Sequence, residues 1–98
     1  MLLFVRKQYS DQIRAGVKRF EIRAGARYAK VKAGDDLSIN GHFRVAVTRV
    51  DEHSRASLIA ALPDWREAVE SCYPIDNPPY FVFHFNPPPA ALPPHRAQ

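Results

Sequence analysis

Gly16-Val17-Lys18-Arg19-Phe20-Glu21-Ile22-Arg23 is the stretch on which the fold turns. Alternation from Arg19 to Arg23 predicts a β-strand, with Phe20 and Ile22 on one face and Arg19, Glu21 and Arg23 on the other. One face is expected to enter a core while the other carries a row of alternating charge. Gly16 supplies the left-handed residue that stops a preceding helix. Lys18 interrupts the pattern, because strict alternation would set it on the core side. Either it precedes the strand in the turn, or a bulge re-aims it.

Upstream, Leu2 to Lys7 predicts a first strand, apolar on both faces. Ser10 can cap a short helix from Asp11 to Ala15, held by packing of Ile13 rather than by propensity. Downstream, Ala24 to Ala33 is a loop carrying Arg27, Tyr28, Lys30 and Lys32. Together with Arg19 and Arg23, these cations suit phosphates, and the aromatic suits stacking on a base. Gly34-Asp35-Asp36 turns the chain into a third strand, Leu37 to Ile39. Asn40-Gly41 is a two-residue hairpin signal, and the returning strand runs from His42 to Val50.

Ser54 or Ser57 can cap a helix containing Leu58, Ile59 and Leu62, and Pro63 opens the next. Trp65, Ala68, Val69 and Cys72 then form one apolar face, which predicts a core anchor in Trp65 and a buried Cys72. The last strand is Tyr80 to Phe85, with Phe81, Phe83 and Phe85 on one side and a hydrogen-bonded structural role expected for His84. Residues 87–98 contain five prolines and predict an extended, mobile tail after a domain spanning residues 1–86.

The resulting order is β, short α, β, loop, β-hairpin, αα, β. It lacks the βαβ spacing of a parallel doubly wound sheet. The expected class is α+β, mainly β: a small barrel of about five to six mostly antiparallel strands with flanking short helices.

A chain of 98 residues makes one domain with one core. The single Cys72 excludes an intrachain disulfide, and the four histidines show no metal-site spacing, so neither a metal nor a cofactor is expected. Met1 to Val5 is too short an apolar run for a signal peptide or a membrane span, so a cytoplasmic protein with no membrane partner is expected. The net charge of +4 hides an asymmetry. Residues 1–50 carry eleven Lys and Arg against four Asp and Glu, while residues 51–98 carry three against six. A basic first half fits either a solvated surface or the footprint of a polyanion.

Gly16-x-Lys18-x-x-Glu21-x-Arg23 resembles the GxKxxExR signature of ASCH domains, members of the PUA-like β-barrel superfamily. The short helix before the signature, Gly34-Asp35 before the third strand and the aromatic last strand agree with that resemblance, which covers roughly residues 2–86. It implies a PUA-like barrel with a cleft in which the signature residues meet RNA or a modified nucleoside. Some members are reported as ribonucleases, and a small relative removes the acetyl group from N4-acetylcytidine. In that amidohydrolase a lysine matching Lys18 is catalytic, with a threonine three residues later and a downstream glutamate. Here the threonine position is Glu21, and the downstream stretch reads Ser57-Leu58-Ile59-Ala60-Ala61.

The expected site is therefore Lys18 and Glu21 as catalytic residues, with Arg19, Arg23, Arg27, Tyr28, Lys30 and Lys32 binding an anion or nucleic acid. A neutral Lys18 could be a base or nucleophile, and a charged one could stabilise a phosphorane or oxyanion. Glu21 can pair with a cation or act as a general base. Three functions fit: an RNA- or nucleotide-binding module, a metal-independent ribonuclease, or an amidohydrolase on N4-acetylcytidine-type nucleosides.

Overall fold

The computed structural model describes residues 1–88. The expectation for the tail beyond that point lies outside the described residues. Five strands form one sheet in the order β1-β3-β4-β5-β2. They are β1 (Leu2–Leu3), β2 (Phe20–Ala24), β3 (Asp36–Ile39), β4 (Phe43–His53) and β5 (Tyr80–Phe85). The helices are α1 (Lys7–Arg14), α2 (Arg55–Ala61) and α3 (Arg66–Cys72), with 3₁₀ turns at Ala26–Lys30 and Pro63–Trp65. β1 pairs with β3 in parallel, and the other three ladders are antiparallel.

The predicted barrel does not close. Its edge strands, β1 and β2, share no backbone ladder. On the β3 side, β1 is ended by Asn40, in the β3–β4 hairpin. Its side chain accepts from the Val5 N–H at 2.8 Å and donates to the Val5 carbonyl at 3.0 Å. Both peptide groups that could extend β1 toward its neighbour are thereby taken, and the strand stops at two residues. Arg23 spans the remaining gap, donating from Nη2 to the Phe4 carbonyl at 2.9 Å.

The Asn40 backbone itself sits at φ 55°, followed by Gly41 at φ 73°, the two left-handed residues of a type I′ turn. Asn40→Ala removes two hydrogen bonds and puts a methyl-bearing residue in the left-handed region. The expected loss is about 2–3 kcal/mol, read as a shift of the urea midpoint without a change in m-value.

Tethering Val5 also moves the first helix. It starts at Lys7 rather than Asp11, with Arg6 as its N-cap, and Ser10 is buried within it instead of capping it. Its end is as the glycine predicts. Gly16 (φ 79°) donates to Ile13 and Val17 donates to Gln12, a Schellman closure. The Lys18 N–H returns to the same Gln12 carbonyl at 3.1 Å, so the reversal drives Lys18 inward before the strand begins.

Two apolar clusters lie on opposite faces of the sheet. Phe81, Phe83 and Phe85 join Leu37, Ile39, Val45 and Ile13 in the larger one. Tyr80 and Val82, one register away, join Leu58 and Val69 beneath α2 and α3. β5 thus buries both faces, as its unbroken apolar run requires. A register shift between Val47 and Arg49 bends β4, so this single strand of 11 residues serves both halves of the sheet. Ser54 caps α2, its Oγ accepting from the Ser57 N–H. Among the described residues, no helix is long and apolar enough to cross a membrane.

Candidate functional site

β2 lies along one edge of the sheet, paired on its other side with β5. Phe20, Ile22 and Ala24 pack on the α2–α3 side. Glu21, opposite Phe83 in the ladder, is the strand's buried acid. The charge row predicted for this face is therefore not a solvated one. Glu21 is 9% exposed and Lys18 4%, and these are two of the three buried polar residues among those described.

Lys18 takes the turn alternative rather than a bulge. Its Nζ donates to Glu21 Oε1 at 2.9 Å and to the Phe20 carbonyl at 2.6 Å. Three rings surround the same nitrogen, with centroids of Phe20, Trp65 and Tyr9 at 5.0, 5.3 and 5.4 Å. The second carboxylate oxygen, Glu21 Oε2, accepts from Arg23 Nη2 at 3.1 Å. One carboxylate thus holds two cations, and its Oε1 also receives the Ile22 N–H at 3.3 Å. Arg23 Nε is buried with no partner among the described residues. Burial lowers the Lys18 pKa from its ordinary value; attraction to Glu21 opposes that shift, and repulsion from Arg23 adds to it.

A cavity of about 60 Å³ opens over this network. It is lined by Tyr9 from α1, Ile22 from β2, and Trp65, Val69, Cys72 and Tyr73 from the α3 region, together with the buried Lys18 and Glu21. The Tyr73 hydroxyl donates to the Ile22 carbonyl at 3.1 Å, a group on the unpaired edge of β2. Burial pushes the Tyr73 phenol up to about 12.

That shift has a measurable sign. The folded state holds the Tyr73 proton more tightly than the unfolded chain, in which the group titrates near 10.0. Its contribution is complete below pH 10 and lost as the pH rises through about 12. Lys18 acts the other way: its folded pKa lies below 10.5, so its burial penalty is relieved as the pH approaches that value. Thermal melts across this range should show stability holding or rising, then falling above pH 10. In Tyr73→Phe the fall attributable to this phenol should be absent.

Of the predicted site residues, the structure brings Lys18, Glu21 and Arg23 into one network. Arg19 is exposed beside it, its Nε donating to the Gly16 carbonyl at 3.1 Å. Arg27, Lys30 and Lys32 are exposed on or beside the 3₁₀ turn and do not line the cavity. Tyr28 is 8% exposed and packs on Phe83 in the larger core, with Arg27 over its ring. A base has no Tyr28 face to stack on in this arrangement.

Sequence reasoning missed Tyr9 and Tyr73 as wall residues, and misassigned two others. Trp65 is half-buried over Lys18 rather than a core anchor, and Cys72 is exposed rather than buried. The signal was present: Trp65, Ala68, Val69 and Cys72 all line the cavity, so the apolar helix face faces a pocket.

Away from this pocket, His84 Nε2 lies 2.8 Å from Asp51 Oδ2 and 3.1 Å from Arg49 Nη2, the hydrogen-bonded role expected of it. The Asp51 pKa is lowered by its hydrogen bond to His84 and by Arg49, against a cost of desolvation. Among the described residues, no group of three or more His, Cys, Asp or Glu side chains is arranged to hold a metal ion.

No protein-family model matches the chain, and no curated protein matches it significantly. Among solved structures, the crystal structure of hypothetical protein PH0355 is similar, with a TM-score of 0.71 and 17% sequence identity. The match covers 88% of this chain and 96% of that one. The likeness is one of fold: a small α+β domain built on a five-stranded mixed sheet with three helices.

Proposed function

We propose that this chain is an RNA- or nucleotide-binding domain of the ASCH type whose ligand meets the Lys18–Glu21–Arg23 network. The observation that carries the reading is a buried Lys18–Glu21 pair, tied to Arg23, lining an aromatic-walled cavity on a sheet edge. Buried ion pairs are poor stabilisers compared with apolar packing, so retaining one beneath a pocket is better explained by ligand chemistry. Trp65 and Tyr9 supply aromatic wall to the cavity, while Arg19 and the exposed Arg27, Lys30 and Lys32 supply positive charge for phosphates. The network also has the parts of a ribonuclease. Glu21 is the group to take a proton from a ribose 2′-hydroxyl, and the Lys18 ammonium is the group to neutralise a phosphorane.

Fluorescence anisotropy with single-stranded RNA oligonucleotides tests binding. Affinity should fall steeply with salt, and Lys18→Met should weaken it at least about tenfold, the loss of one charge-assisted contact. Affinity unaffected by both salt and the substitution would overturn the reading. Incubation of the same RNA with EDTA tests cleavage, which should persist in the chelator and disappear in Lys18→Met. Equal cleavage by the variant would mark a contaminating nuclease.

The cavity size favours a second reading. A pocket of about 60 Å³ is less than half the roughly 150 Å³ that holds benzene, so it suits an acyl group better than a whole base. On an N4-acetylcytidine-type nucleoside, Lys18 would polarise the acyl carbonyl while Glu21 activates water. The C–N bond would break, acetate would leave, and the amine would take the proton. Release of acetate is the assay, and no turnover at high protein concentration removes this reading.

A further inference from the structure

We infer that Trp65 is a positioning residue of this site: with Tyr9 and Phe20 it closes a π box around Lys18 Nζ and keeps that group an ammonium, so the site works through a charged donor. This rests on the reading of the cavity as the ligand site, and it decides between the neutral and charged roles that the sequence leaves open for Lys18.

The geometry is specific. Nζ has three ring centroids within 5.0–5.4 Å, contributed by α1, β2 and the turn before α3. Aromatic faces attract cations through their quadrupole and do little for a neutral amine. The other two contacts of Nζ are a carboxylate oxygen at 2.9 Å and a carbonyl oxygen at 2.6 Å, both acceptors. Every polar partner thus expects a donor, and an ammonium has three protons to give where an amine has two. Against them stand burial, which lowers the Lys18 pKa, and the Arg23 guanidinium on the same carboxylate. The remaining titratable groups lining the cavity are Tyr9 itself, Tyr73 and Cys72. Of these, Tyr73 keeps its proton through the neutral range, because burial holds it at about 12.

An ammonium cannot be the base or nucleophile of a reaction. It can meet an anionic oxygen, and Lys18 lines the cavity where one would enter. Trp65 never needs to touch the ligand to matter: it acts on Lys18.

Trp65 is the only tryptophan, so biosynthetic fluorotryptophan labels this wall alone. Fluorination withdraws electron density from the ring face while nearly preserving its shape. The Lys18 Nζ and Cε resonances, assigned by their loss in Lys18→Met, are followed against pH in the free protein. With the native ring, Lys18 should be charged at neutral pH. Passing from mono- to trifluorinated indole should lower its proton affinity stepwise, about three- to tenfold in total. The monofluorinated ring is close to isosteric, so the slope is readable from the lightest substitution upward.

A Lys18 midpoint that stays fixed or rises along the series overturns the inference, as does a neutral Lys18 at pH 7 in the native protein. Neither result touches RNA binding, which is measured separately. An RNA-binding failure with the expected Lys18 series would remove the proposed ligand and leave the π box standing.

Discussion

Replacing Glu21 by leucine is expected to cost about 3–5 kcal/mol of folding stability, most of which a second change, Lys18→Met, restores. The Lys18 side chain is 3% exposed and that of Arg23 19%, and both are neutralised by the same carboxylate. Without it, Lys18 keeps only a carbonyl and three ring faces against the cost of desolvation. For a domain of this size the loss corresponds to a fall in Tm of roughly 15 °C or more. Removing the ammonium as well leaves two apolar side chains among Tyr9, Phe20 and Trp65, which suits their surroundings. Arg23 remains, partly exposed and still bonded to the Phe4 carbonyl. Urea denaturation of the two single variants and the double variant gives the coupling energy directly. If the double variant were as unstable as Glu21→Leu, the pair would not be an isolated buried ion pair in the energetic sense.

Phe83→Ala should be about as damaging, at about 3–5 kcal/mol, from lost transfer energy plus the cavity left behind. Phe83 is fully buried in the larger core, between the stacked ring of Phe81 and the tilted ring of Tyr28. It also stands opposite Glu21 in the β2–β5 ladder. A void there would open beneath the carboxylate, so the loss should be accompanied by a rise in the Lys18 pKa as water reaches the network. Phe83→Leu, which keeps most of the volume, should cost less and leave the Lys18 titration near its native position. Calorimetry and the Lys18 resonances test the two halves of this expectation independently.

Much of the architecture was legible because local chemistry and tertiary structure agree there. β5 runs from Tyr80 to Phe85 as its apolar run predicts, and Asn40-Gly41 forms the expected tight turn. Gly16 ends α1 in the left-handed region, and Ser54 caps α2. The misses arise where a distant side chain decides. Nothing near Val5 in sequence says that Asn40 will take both of its peptide groups, yet that contact ends β1 after two residues, just ahead of an α1 that starts at Lys7.

Within the site, the signature spacing identified Lys18, Glu21 and Arg23 as a group, and their ion pairs follow. Periodicity could not say what covers an apolar helix face. The Trp65–Cys72 stripe carries the same 3.6-residue signal whether it meets packed side chains or the wall of a cavity. Exposure of the basic turn was equally hidden in its composition, which could not separate Tyr28, turned into the core, from Arg27 and Lys30 beside it.

Arg23 connects the site to the architecture in a further way. The guanidinium that balances Glu21 also fastens the far side of the sheet, through the Phe4 carbonyl just past β1. The two edges of an unclosed sheet are therefore joined by a cation bonded to the pocket's own carboxylate. A ligand anion that draws Arg23 away from Phe4 must loosen the first strand, and one that leaves the contact intact must leave that strand quiet. The N-terminal amides thus become a gauge of occupancy: their hydrogen exchange reports, from outside the pocket, how the pocket's ligand is held.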